Sequence, residues 1–70
     1  MVYTWYKVFY FPSGSQGGAW IELYPDYATD TENFSFENED DARVFKEMYL
    51  EHNQCAEEKV EVIKETREII

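Results

Sequence analysis

The segment from Val2 to Phe11 constrains the fold of this chain more than any other. β-Branched and aromatic side chains dominate it and Pro12 follows at once, so we predict a β-strand that ends at Phe11. Successive side chains of a strand point to opposite faces of the sheet, and in this strand both faces are apolar. We therefore expect other parts of the protein, or a partner, to pack on each side of it.

The residues after this strand are predicted to turn back on it. Residues 12–18 hold all three glycines of the chain together with a proline and two serines, a composition typical of a turn. Ala19 to Tyr24 alternates as a strand does, so the two strands should form an antiparallel hairpin. Pro25 to Glu32 is predicted to be a loop, and Phe34 to Phe36 can add a short edge strand.

A helix is predicted from an N-cap at Asn38 to about Asn53, because Glu39, Asp40 and Asp41 place negative charge on its first turn. Its apolar stripe is predicted from side chains at helical spacing: Ala42, Phe45, Met48, Tyr49 and His52. Residues 59–64 alternate again, with Val60 and Val62 on one face, and are predicted to be the last strand. Residues 65–70 either extend that strand or fray.

These elements predict one α+β domain over residues 1–70, in the order strand, strand, helix, strand (β-β-α-β). Seventy residues allow a single domain with a thin core. Short connections and right-handed crossovers favour the first strand in the centre of a three- to four-stranded antiparallel or mixed sheet. The helix then packs on one face of the sheet and leaves the other face uncovered.

The uncovered face is the first candidate binding surface. In the simplest register of the hairpin Phe11 lies opposite Ala19. The uncovered face then carries Tyr6, Tyr10, Trp20 and Tyr24 around Val8 and Glu22. Tyr and Trp are enriched at interface centres, so this face is predicted to bind a partner protein or a second copy of the chain. Alternatively these side chains contribute only cross-strand packing, and a register slip of one residue would exchange the two faces.

Charge supplies the second candidate surface. The chain has fifteen acids against six bases, a net charge of −9, which repels nucleic-acid backbones and anionic membranes and attracts a basic protein surface. Between residues 22 and 41 no Lys or Arg occurs. The acids of this run are Glu22, Asp26, Asp30, Glu32, Glu37, Glu39, Asp40 and Asp41. We interpret the run either as a solvated loop and helix start or as a nucleic-acid mimic that occupies a basic cleft of a host protein.

In size, charge and element order the chain is similar to small phage-encoded inhibitors of host enzymes. Among them is an acidic inhibitor of bacterial RNA polymerase with the order strand, strand, helix, strand, and anti-CRISPR proteins and DNA mimics have similar compositions. The similarity lies in these general properties and not in a sequence motif. It implies a phage-type inhibitor that blocks a host protein, whereas the alternative is a homo-oligomerising structural or accessory protein.

No catalytic residues, metal site or cofactor are predicted. His52 and Cys55 could touch at the helix end, but no third residue orients them, and a structural histidine and a free thiol explain them better. Asp26, Asp30 and Glu32 lack the glycine and the alternating ligands of a calcium loop. A domain of this size is also expected to leave little room for a pocket of about 300 Å³. With one cysteine and no secretion signal at its N-terminus, the chain is expected to be soluble and cytoplasmic.

Overall fold

The computed structural model describes residues 1–12 and 18–70, which form a three-stranded antiparallel sheet and one α-helix. Strand β1 spans Val2–Tyr10, β2 spans Ile21–Leu23 and β3 spans Val60–Glu68. The order in the sheet is β2-β1-β3, which confirms the α+β class and the central position of the first strand. Most of the predicted turn, residues 13–17, lies outside the described residues.

The helix, α1, spans Glu39–Asn53, as the acidic first turn and the apolar periodicity predict. Asn38 occupies the N-cap position with an extended backbone, φ −125° and ψ 148°. Gln54 ends the helix in the left-handed region, φ 50° and ψ 42°, a conformation that favours glycine. A short 3₁₀ helix, Glu57–Lys59, then leads into β3, which is longer than predicted because residues 65–68 extend it.

The core lies where α1 crosses the centre of the sheet. Val8 of β1, Val60 of β3 and Ala42 of α1 have no exposed surface, and Phe36 is 5% exposed. The small side chain of Ala42 lets the helix backbone approach the two valines closely. Aromatic and aliphatic side chains surround this centre, half-buried: Tyr6, Tyr10, Leu23, Phe34, Phe45, Tyr49, Leu50 and Val62.

The predicted helix stripe is confirmed for Ala42, Phe45 and Tyr49 and is wrong for Met48 and His52. Both of the latter side chains are exposed. A sheet of three strands is narrow, so the helix buries a narrower stripe than its apolar periodicity suggests.

The predicted register of the hairpin is wrong by one residue. Val8 lies opposite Leu23 and Phe9 opposite Glu22, so the two faces of β1 are exchanged relative to the prediction. Tyr6 and Tyr10 therefore lie on the helix side and pack against the core. The physical reason is Lys7: the predicted register would place its ammonium group under the helix, whereas the observed register places it on the open face beside Glu22.

Phe36 joins the long segment between β2 and α1 to the sheet. Its backbone forms a single antiparallel bridge with Tyr6, with N–O distances of 2.8 and 2.9 Å, in place of the predicted short strand over residues 34–36. Its ring contacts those of Phe34 and Phe45, at centroid distances of 4.9 and 5.6 Å. On the opposite side of the sheet, no strand among the described residues pairs with the outer edge of β3.

Candidate protein-docking surfaces

The acidic residues of the segment 22–41 are exposed, with the exception of Glu22. Glu22 is half-buried on the open face of the sheet, where its Oε1 lies 3.7 Å from Nζ of Lys7. Asp30 accepts a hydrogen bond of 3.0 Å from Nδ2 of Asn33, and this bond lowers the pKa of its carboxyl below the ordinary value of 3.8. Most of the run therefore offers its charge to solvent rather than to partners within the chain.

A groove runs between α1 and the segment 24–27, with a volume of about 1120 Å³. The groove is a surface cleft rather than an enclosed pocket. The half-buried rings of Phe45 and Tyr49 and the buried ring of Phe36 line it from the core side. Burial, followed by the proximity of Cys55 and Tyr10, raises the pKa of Tyr49. The groove therefore begins in the apolar core and opens to solvent.

Solvent-exposed apolar side chains line the outer part of the groove. Tyr27 is 72% exposed, Met48 63% and Val44 58%. Ala28 N–H donates to the carbonyl oxygen of Pro25 at 3.0 Å, which closes the turn that carries Tyr27. Exposed apolar side chains therefore line both walls of the outer groove.

Tyr24 lies in the wall of this groove and is also close to Glu22 of the open face, the face on which the sequence placed it. Its ring packs against Phe34 at a centroid distance of 6.3 Å in an edge-to-face arrangement. Desolvation, together with the negative charge and hydrogen bonding of Glu22 and the charge of Glu32, raises the pKa of its phenol. The structure thus connects the acidic run to the groove at this residue.

The rim of the groove is acidic. Of the predicted acidic residues the structure brings Asp26 and Asp41 together there, and it adds Glu51, which the sequence analysis did not single out. Among the described residues that line the groove there is no Lys or Arg. The remaining predicted acids, which are Asp30, Glu32, Glu37, Glu39 and Asp40, do not line the groove but continue the negative surface along the loop and the helix start.

Comparison with family models, curated proteins and solved structures finds no match. In the described residues no helix is both long and apolar enough to cross a bilayer. The same residues contain no group of three or more His, Cys, Asp and Glu side chains placed to hold a metal ion.

The open face of the sheet carries a different aromatic set from the one predicted. Trp20 does lie there, 63% exposed, and its ring packs at 6.3 Å from that of Phe11, which in turn lies 6.4 Å from Phe9. Since β1 alternates, Trp5 and Tyr3 continue this row toward the other end of the strand. The face is apolar, as predicted, but Trp5, Phe9 and Phe11 occupy it in place of Tyr6 and Tyr10.

Polar groups fix the far end of this row. Nε1 of Trp5 donates to Oε2 of Glu65 at 2.7 Å, and the guanidinium of Arg67 lies 5.9 Å from the centre of the Trp5 ring. These contacts hold Trp5 half-buried, so the exposed rings of this row are Trp20 at one end and Tyr3 at the other. The Lys7–Glu22 pair described above lies between the two ends.

His52 and Cys55 take up different environments. His52 is exposed at the groove, whereas Cys55 is a free thiol that packs against the core cluster. The sequence signal that could have assigned the correct faces is Lys7, the one charged residue of β1, because a strand face that carries a lysine is a poor choice for the side beneath a helix.

Proposed function

We propose that this chain is a non-enzymatic protein-binding module that docks on a basic surface of another protein. The observation that carries the proposal is the groove of about 1120 Å³, which combines exposed apolar side chains with an acidic rim. Apolar contact supplies affinity, and a field of net charge −9 steers a basic partner toward the surface. A surface with both properties is suited to a protein rather than to a nucleic acid or a membrane.

The specific form of the proposal is an inhibitor. An acidic module that covers a basic, nucleic-acid-binding site competes with the phosphate backbone for the same lysines and arginines. The similarity in size, charge and element order to phage-encoded inhibitors, anti-CRISPR proteins and DNA mimics supports this form. A host enzyme or nucleic-acid-binding complex in the cytoplasm is the proposed target, and the absence of any possible internal disulfide, with Cys55 as the single cysteine, favours that compartment.

Affinity capture from a bacterial lysate, at low and at high salt, tests the proposal. The immobilised chain is compared with a triple variant in the acidic run, Asp26→Asn, Glu32→Gln and Glu37→Gln. The matched control removes three exposed acids elsewhere, Glu47→Gln, Glu58→Gln and Glu68→Gln. Each triple variant removes three of the nine net negative charges and leaves −6.

We expect the wild type and the control to retain a basic protein at low salt and the run variant to lose it. The captured protein should also lose its nucleic-acid binding when the chain is added. If nothing basic is retained at low salt, or if both variants lose the partner equally, docking through the acidic run is wrong.

A second candidate function is self-association through the open face, and the exposed Trp20–Phe11 pair favours it. Two copies that stack these faces would bury the row of rings on β1 and β2. Light scattering coupled to size-exclusion chromatography distinguishes the two candidates. A dimer that Trp20→Glu dissociates supports self-association, whereas a wild-type monomer at high concentration eliminates it.

A further inference from the structure

We infer that the groove between α1 and the segment 24–27 seats a basic amphipathic helix of the partner protein. This inference rests on the proposed function and names the part of the partner that is bound. Three properties of the groove support a helical, basic occupant: its exposed apolar lining, its acidic rim and the absence of a strand from its described walls.

The apolar lining calls for aliphatic or aromatic anchor side chains. Val44 and Met48 lie one turn apart on α1, and Tyr27 lies on the opposite wall, so an occupant can insert side chains between them. The unbranched thioether of Met48 adapts its shape to such anchors, as methionines do at many helix-binding surfaces. A purely hydrophilic basic segment would leave Tyr27, Val44 and Met48 exposed to solvent.

The rim calls for positive charge beside the anchors. Asp26 lies on the loop wall and Asp41 and Glu51 lie on the helix wall, so carboxylates flank the apolar lining on both sides. The described lining offers these carboxylates no lysine or arginine partner. Lysine or arginine side chains that project from the edges of an inserted apolar face would reach them.

The walls call for a helical occupant because they offer no strand edge to extend. The lining residues belong to α1, to the segment 24–27 and to Phe36, whose N–H and C=O groups are already bonded to Tyr6. The described walls therefore give an occupant no strand to extend, whereas a helix satisfies its own backbone groups. The α1 residues that line the groove run from Asp41 to Asn53, a length of about 18 Å, which matches roughly three turns of a bound helix.

A labelled synthetic peptide of about fourteen residues tests the inference by fluorescence anisotropy. Its leucines recur at positions i, i+3, i+4 and i+7, and its other positions are lysine and arginine. Two control peptides have the same charge: one scrambles the leucines around the helix, and the other carries a central proline that prevents a continuous helix. We expect only the first peptide to bind tightly and to become helical by circular dichroism.

Variants of the protein separate the apolar contribution from the charge. Met48→Ser should weaken binding of the amphipathic peptide about tenfold by removing an anchor contact. Ile69→Ser, a neutral change at a similarly exposed residue away from the groove, should leave binding unchanged. The double variant Asp26→Asn with Glu51→Gln should flatten the salt dependence of binding, whereas Glu58→Gln with Glu68→Gln should not.

Backbone amide shifts of the wild-type protein locate the bound peptide. Perturbation of Tyr27, Val44 and Met48 supports the inference, whereas perturbation centred on Trp20 and Phe11 overturns it. Equal binding of the proline peptide shows an extended occupant and also overturns it. If lysate capture depends on the acidic run while Met48→Ser has no effect on peptide binding, the chain docks on a basic surface but the groove is not the binding site. If neither the lysate nor the peptide experiment shows binding, the proposed function itself is wrong.

Discussion

Replacing Phe36 with alanine should detach the acidic segment from the rest of the molecule. Phe36 is the buried member of that segment, and its ring lies against Phe34 and Phe45 while its backbone pairs with Tyr6. The same ring lines the groove, so one side chain links the stability of the fold to the shape of the proposed docking site.

The expected cost is large for a chain of this size. Truncation of a buried phenylalanine to alanine costs about 3 to 5 kcal/mol of stability. Because Phe36 is only 5% exposed, nearly the full cost is expected here. A 70-residue domain has a free energy of unfolding of roughly 4 to 10 kcal/mol at the usual value per residue. Phe36→Ala should therefore remove about 30% or more of the free energy of unfolding, and a domain at the low end of the stability range would unfold.

Urea denaturation followed by far-UV circular dichroism measures this cost. Trp20→Ala is the control, since Trp20 is 63% exposed and its truncation should cost less than about 1 kcal/mol. If Phe36→Ala costs no more than Trp20→Ala, Phe36 does not occupy the interior and the proposed link between core and groove is wrong.

Three other substitutions test individual contacts. Gln54→Gly should raise the free energy of unfolding by roughly 0.5 to 1 kcal/mol because residue 54 has φ 50°, whereas Gln54→Ala should not; a lower urea midpoint for the glycine variant contradicts this. Asn33→Ala should raise the pKa of Asp30 toward 3.8 in an NMR titration. Because the pKa of Asp30 is lowered in the folded state, the Asn33–Asp30 bond stabilises the fold above pH 3.8, and this contribution disappears as the pH falls through the folded pKa. An unchanged Asp30 titration in the Asn33→Ala variant refutes this role of the bond. Glu65→Ala should cost about 1 kcal/mol and shift the indole N–H resonance of Trp5, and an unmoved resonance would show that the bond is absent in solution.

The element types and their order were predictable because each segment has a distinct local signal. Pro12 limits the first strand, and the acids after Asn38 mark the beginning of the helix. The position of β1 in the centre follows from the chain order and short connections. The isolated bridge at Phe36 depends on a tertiary contact with Tyr6, so local propensity could suggest a strand there but could not limit it to one residue.

The register was not predictable from alternation alone, because β1 is apolar on both faces. In such a strand the hydrophobic pattern is satisfied by either register. The choice depends on Lys7, which pairs with Glu22 on the open face, and on the core beneath Ala42, where the small side chain of Val8 lies between Tyr6 and Tyr10. The groove escaped prediction for a related reason. Its walls come from segments far apart in the chain, and its exposed member Met48 has the spacing of a core residue.

The outer edge of β3 has a consequence for the behaviour of the protein in concentrated solution. The unpaired edge of a nine-residue strand is a template on which other chains can add strands and aggregate. In β3 the apolar residues Val60, Val62 and Ile63 lie in the half that is buried or half-buried, whereas the other half carries the exposed charges of Lys64, Arg67 and Glu68. A strand that added to this half would have to strip water from those three charges, so fibre growth along this edge is opposed.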